Sequence, residues 1–109
     1  EDFATAKPAQ ERAVSMIEDA IDSGYSVTKA DVVKRIGAVH INMYQPMLRK
    51  MLDADMDQSA AVERGNRAIK AWNGALKRYA KDKTGLRPGE AQRLAEDVTA
   101  EVEALAAGD

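Results

Sequence analysis

Apolar residues recur every three or four positions through most of the chain, which is the period of a helix with one buried face. The pattern predicts a first helix over residues 9–22, after a loose lead-in that ends at Pro8. Ser23-Gly24 closes this helix, since Gly tolerates the conformation found just past helix ends. No segment has the two-residue period of a strand. We therefore predict an all-α fold.

Two short helices are predicted next, over residues 28–36 and 42–54. Gly37 is expected to end the first of them, because Gly is the commonest residue beyond a helix terminus. Pro46 confines the start of the second to about Asn42, because Pro is tolerated in the first turn but removes a hydrogen bond further along. The four residues between the two helices are then a turn.

The last part of the chain predicts a helical hairpin, with helices over residues 58–83 and 88–107. About five helices are expected in all, as a three-helix unit over residues 1–57 and a hairpin over 58–109. Apolar residues in the first hairpin helix are spaced three and four apart, which is typical of a seam between paired helices. We expect this seam to form a homodimer interface through Val62, Ile69, Trp72, Leu76 and Tyr79.

Composition excludes several kinds of chemistry. The chain has 109 residues, 45% of them apolar, no Cys and a single His, so disulfides, thiolate metal sites and multi-histidine metal sites are absent. We find no Gly-rich phosphate loop and no carboxylate pair placed for acid–base work, and predict a non-enzymatic, cytoplasmic protein without cofactor or metal. Residue 1 is Glu rather than Met, so we expect a trimmed or partial chain.

Charge is strongly segregated along the sequence despite a net charge of only −2. Residues 24–52 carry five basic and one acidic side chain, and residues 63–87 carry eight basic and two acidic ones. The segments before, between and after them are acidic. Such local fields matter more than net charge for binding a polyanion. The alternative is that acidic and basic helices simply face each other.

The two short helices have the form of a helix-turn-helix, in which the early residues of the second helix read base edges in the major groove. Asn and Gln can pair with adenine there, and Lys and Arg neutralise phosphates. The predicted DNA-binding residues are Lys29, Lys34, Arg35, His40, Asn42, Tyr44, Gln45, Arg49 and Lys50.

The region from residue 17 to residue 52 resembles the N-terminal DNA-binding region of plasmid KfrA-type proteins. The resemblance rests on a Gly after the first helix and then Thr-x-x-x-Val-x-x-x-Ile-Gly, at positions 24, 28, 32, 36 and 37. It implies an α-helical, dimeric DNA-binding regulator from a plasmid or other mobile element such as a phage. The family's Gly/Ser-rich turn is replaced here by Ala38-Val39-His40-Ile41, and its long coiled-coil tail is absent.

A second interpretation is a helical adaptor that binds another protein and no nucleic acid. Its docking surface would be the acidic last helix or the stripe of Met43, Met47 and Met51, although such stripes are usually core. The later basic segment either extends a nucleic-acid surface or pairs with the acids of the last helix. Its cations are Arg64, Arg67, Lys70, Lys77, Arg78, Lys81, Lys83 and Arg87, and the acids are Glu96, Asp97, Glu101 and Glu103.

The run Asp53-x-Asp55-x-Asp57 resembles the opening of a calcium loop. The Gly and Glu that such a loop needs further on are replaced by Gln58 and Arg64. An acidic loop between helices is the preferred interpretation.

Overall fold

Four helices make up the part of the chain that the computed structural model describes, residues 2–54 and 59–108. The all-α prediction is confirmed, and the prediction of about five helices is wrong. The helices are α1 (Asp2–Asp22), α2 (Lys29–Asp53), α3 (Ser59–Tyr79) and α4 (Glu90–Ala106).

The helices form a bundle in which each packs against its neighbours along the chain, and α4 packs against both α1 and α2 as well. One hydrophobic core takes residues from all four helices, with Trp72 as its largest fully buried side chain. The predicted unit boundary between residues 57 and 58 lies outside the described residues. Helices on both sides of it contribute to the same core.

Helix α2 is continuous where the sequence predicts two helices and a turn. Gly37 lies inside the helix with an ordinary helical backbone, since the described glycines with positive φ are Gly24, Gly89 and Gly108. Residues 38–41 are helical as well. The predicted helix end at Gly37, and with it the turn of a helix-turn-helix, is therefore wrong.

Close packing between α2 and α3 explains both Gly37 and its counterpart Gly65. A Cβ atom added to Gly37 would lie 3.1 Å from Cδ2 of Leu76, and one added to Gly65 would lie 2.6 Å from Cδ2 of Leu48. Each helix thus contributes a Gly that accepts a Leu from the other. The two glycines permit close approach of the helices rather than a change of direction.

Pro46 also lies inside α2, in its second half and well beyond the first turn. It leaves the carbonyl oxygen of Asn42 without its helical donor. Both residues are exposed, so solvent can hydrate that oxygen. Similarly, α1 begins at Asp2 and runs through Pro8, so the predicted lead-in over residues 1–8 is wrong for the described residues 2–8. Ala6 is completely buried there, and this tertiary packing favours the longer helix.

The connections at one end of the bundle are tied together by backbone hydrogen bonds. The Lys29 N–H donates to the Thr84 carbonyl at 3.1 Å, and the Leu86 N–H donates to Val27 at 3.0 Å. Thr28 caps α2 in a capping box, with its hydroxyl accepting from the Asp31 N–H. These bonds hold the start of α2 beside the segment that follows α3.

Helix α4 begins at Glu90, two residues after Pro88, close to where the sequence predicts its start. Its N-terminal N–H groups are capped from another helix: the Glu18 carboxylate of α1 accepts from Gly89 at 2.8 Å and from Gln92 at 3.0 Å. A carboxylate at this position also complements the helix dipole. Glu18 thereby joins α1 to α4.

Candidate functional site

Two of the nine predicted DNA-binding residues, His40 and Tyr44, are buried in the bundle and are 3% exposed. The His40 ring stacks on Trp72 of α3, with centroids 4.7 Å apart and planes 23° apart. Gln10 of α1 presents its carbonyl oxygen 2.5 Å from His40 Nε2, and the Tyr44 hydroxyl lies 3.0 Å from Nδ1. His40 is therefore a core residue and makes no base contact in this fold.

The hydrogen bonds fix the protonation of this cluster. An amide carbonyl oxygen can only accept, so His40 Nε2 carries the proton and Nδ1 accepts from the Tyr44 hydroxyl. Burial lowers the pKa of His40 to about 4, which makes the ring neutral at pH 7. Burial also raises the pKa of Tyr44 to about 12, with a smaller contribution from the nearby charge of Glu103. The polar cluster is uncharged and satisfied, which is the behaviour of structural core groups.

Four predicted residues lie together on the outer side of α2. Asn42, Gln45, Arg49 and Lys50 are exposed and line an open depression of about 520 Å³ around Pro46. They come from adjacent turns of one helix, as positions three and four apart do. The structure therefore brings two amide side chains and two cations, together with the carboxylate of Asp53, onto one solvent-facing surface, although no turn precedes them.

The other three predicted residues lie nearer the start of α2. Lys34 and Arg35 are exposed and line a groove between α1 and α2. Lys29 is half-buried, and its charge lies close enough to Asp82 to help lower the pKa of that carboxyl, after the dominant hydrogen bonds from Thr84. All three are on α2, but they are separate from the depression around Pro46.

The bundle separates the charges into two sides. Helices α2 and α3, which pack on each other, carry ten basic and three acidic residues in sequence. Helices α1 and α4 also pack on each other and carry three basic and ten acidic residues. We call these the basic side and the acidic side. The two basic segments of the sequence therefore come together in space.

One cation of α3 pairs with an acid of the last helix, as the alternative interpretation expects, and another pairs within α3 itself. Arg78 pairs with Glu101 of α4 at 2.5 Å. Arg67 pairs with Glu63 of its own helix at 3.0 Å, and its Nε–H also donates to the Ala106 carbonyl of α4. Other basic side chains on α3 and the segment after it are exposed, and the ion pairs found among the described residues do not include them. These are Lys70, Lys77, Lys81, Lys83 and Arg87.

The predicted dimer seam is largely used inside the chain. Trp72 is 1% exposed, Leu76 packs against Gly37, and Ile69 and Tyr79 are half-buried against the core. Val62 is also half-buried. A homodimer stays a prediction, and these side chains are not an open surface for a second copy. Light scattering after gel filtration measures the mass directly, and a clean monomer at tens of micromolar contradicts a homodimer.

The described residues contain neither a metal-binding cluster of acidic, His or Cys side chains nor a membrane-spanning helix. Within residues 2–54 and 59–108, no group of three or more His, Cys, Asp or Glu side chains is placed to hold a metal ion. No helix in those ranges is long and apolar enough to cross a membrane. The suggested calcium loop falls on Asp55 and Asp57, which lie outside the described residues.

Comparisons with protein-family models, with curated proteins and with solved structures find no match to this chain. The resemblance to KfrA-type proteins therefore stays a prediction, and the interpretation of function rests on the residues and their placement.

Proposed function

We propose that the protein is a non-enzymatic DNA-binding protein, regulatory or accessory in role, that binds duplex DNA through its basic side. The observation that carries the proposal is the separation of charge between the two sides of the bundle. A surface of one sign attracts a polyanion over many ångströms, and the acidic side opposes binding in the wrong orientation. No helix-turn-helix is required for this binding.

The outer surface of α2 is the part best suited to contact DNA. An α-helix fits the major groove, and Arg49 and Lys50 stand beside Asn42 and Gln45 on the exposed side of this helix. Cations of this kind contact phosphates and supply affinity, whereas Asn and Gln can discriminate bases. Helix α3, which packs on α2, adds the exposed Lys70 and Lys77 to the basic side.

A duplex is favoured over a single strand because the basic side offers no good stacking platform. Nonspecific single-strand binding uses exposed aromatic rings. The aromatic residues of α2 and α3 are Tyr44 and Trp72, both buried, and Tyr79, which is half-buried. Phosphate contacts along a duplex do not need such rings.

The test is fluorescence anisotropy of a labelled mixed-sequence DNA duplex, titrated with protein at several salt concentrations. We expect the affinity to fall steeply from low to moderate salt, since counterions are released on binding. Replacing Arg49 and Lys50 with Ala should weaken binding and reduce the salt slope by about 1 for each phosphate that is no longer neutralised. Lys34→Ala with Arg35→Ala tests the start of the helix in the same way.

The matched control removes two exposed cations from the acidic side, Arg12→Ala together with Arg93→Ala. This double variant changes the net charge by the same amount as the Arg49/Lys50 variant. It should bind DNA almost as the unmodified protein does. Equal losses of DNA affinity in both double variants would show that the effect comes from net charge and not from the basic side. No DNA binding at low salt would overturn the proposal in favour of the adaptor interpretation.

A further inference from the structure

The groove between α1 and α2 has an apolar floor that is open to solvent. Met16, Ile17, Ala20, Val27 and Ala38 form this floor, in a groove of about 550 Å³. Met16 is 61% exposed, which makes it one of the most exposed large apolar side chains of the described residues. An exposed apolar surface between two helices is a common docking place for a third helix.

The charged residues of this groove make its edge positive. Lys34 and Arg35 line it from α2, and Asp31 is the one carboxylate among the described residues that line it. The Asp31 carboxylate accepts from the Thr28 N–H at 3.0 Å as part of the cap of α2. It is thus already engaged in a local hydrogen bond, whereas the two cations are exposed to solvent and accessible to an incoming acidic group.

We propose that this groove binds an acidic amphipathic helix of a partner protein. Apolar side chains at every third or fourth position of that helix would lie on Met16, Ile17 and Ala38. Its Glu or Asp residues would face Lys34 and Arg35. Charge complementarity selects this occupant, because a basic helix would meet two like charges at the groove edge. The proposal does not depend on DNA binding.

The probe is a synthetic fluorescein-labelled peptide with Leu at every third or fourth position and Glu on the flanks, measured by anisotropy without DNA. We expect saturable binding that a peptide with Lys in place of Glu does not reproduce. Met16→Lys should weaken binding about tenfold, because it places a charge on the apolar floor. Lys34→Glu and Arg35→Glu should each weaken it about two- to fivefold, the range for exposed charge pairs.

Two exposed residues outside the groove provide matched controls. Met43→Lys changes a Met on another part of α2, and Lys70→Glu reverses a charge on α3. Both variants should bind the acidic peptide within about twofold of the unmodified protein. Circular dichroism verifies that every variant keeps its helices, so a loss of binding reports on the groove.

Equal binding of the Glu and Lys peptides would overturn the proposal, as would Met16→Lys binding no worse than Met43→Lys. Neither result would affect the DNA-binding proposal, since the peptide assay contains no DNA. Conversely, absence of DNA binding leaves the peptide result as it stands.

Discussion

The inner and outer sides of helix α2 differ in what their residues do, although both are rich in side chains typical of a binding site. The inner side places Gly37, His40 and Tyr44 against α3, where they are buried. The outer side exposes Asn42 and Arg49 to solvent. Residue type alone does not separate packing from recognition, because the position of a residue around the helix decides whether it faces the core or the solvent. Changes on the inner side should alter stability, and changes on the outer side should alter binding.

The largest effect is expected for Trp72→Ala, which removes the ring that packs against His40. The ring is 1% exposed, and deleting a large buried aromatic costs about 3–5 kcal/mol of unfolding free energy. Urea unfolding followed by circular dichroism measures the change. Tyr25→Ala is the matched control, since this ring is 71% exposed and its loss should change stability by less than about 0.5 kcal/mol. Similar losses in both variants would contradict the assignment of Trp72 to the core.

His40 should make the fold sensitive to acid. Its folded pKa of about 4 lies below the ordinary value of 6.5, so the unfolded chain binds the proton more readily. The stability due to neutral His40 is complete above pH 6.5 and is lost as the pH falls toward 4. The loss approaches about 3 kcal/mol if the full shift is realised.

Urea unfolding at pH 7, 5.5 and 4.5 tests this pH window. Hydrogen bonds with Thr28 and Thr84 lower the pKa values of the Asp31 and Asp82 carboxyls. These two carboxyls therefore titrate below the window. The control is His40→Gln, which keeps a polar side chain and removes the titration. Its stability should change less between pH 7 and pH 4.5. Parallel curves for the two proteins would show that another group causes the acid sensitivity.

Pro46 tests whether α2 is continuous on its outer side. Pro46→Ala restores the missing N–H donor inside the helix and removes a poor helix former, so it should stabilise the protein by about 1–3 kcal/mol. If α2 were instead two helices separated by a turn, Pro46 would lie in a first turn, and Pro46→Ala would stabilise the protein much less. Thermal unfolding measures the difference. Gln45→Ala, next to it on the exposed surface, serves as the control and should change stability by less than about 0.5 kcal/mol.

How far the sequence predicts this structure depends on which signals are local. The all-α fold, the start of α2 next to Thr28 and the end of α1 just before Ser23-Gly24 follow from periodicity and terminal residues within a few positions of each other. Gly37 could not be interpreted that way, because its neighbour Leu76 is distant in sequence. A glycine that ends a helix and a glycine that admits another helix have the same local sequence signal.

The same distinction between local and tertiary signals applies to the placement of the predicted DNA-binding residues. Residue type and helical spacing are enough to predict a shared surface for four residues, and the structure places these four together: Asn42, Gln45, Arg49 and Lys50. The burial of His40 depends on its packing against side chains of α1 and α3. The groove edged by Lys34 and the separation into two charged sides also depend on tertiary packing, although the alternating charge of the segments is visible in the sequence.

The smallest effects are expected for two glycines of α3, and here the same substitution should act with opposite signs. Gly65→Ala places a methyl group 2.6 Å from Leu48, so the inner side must repack, and the net loss should be about 1 kcal/mol after the gain in helix propensity. Gly74→Ala meets no atom within 4 Å and should stabilise the protein by about 1 kcal/mol. Urea unfolding of both variants measures the sign. If Gly65→Ala is as stabilising as Gly74→Ala, the close approach of α2 and α3 at this position is wrong, because a methyl group would then fit between them at no cost.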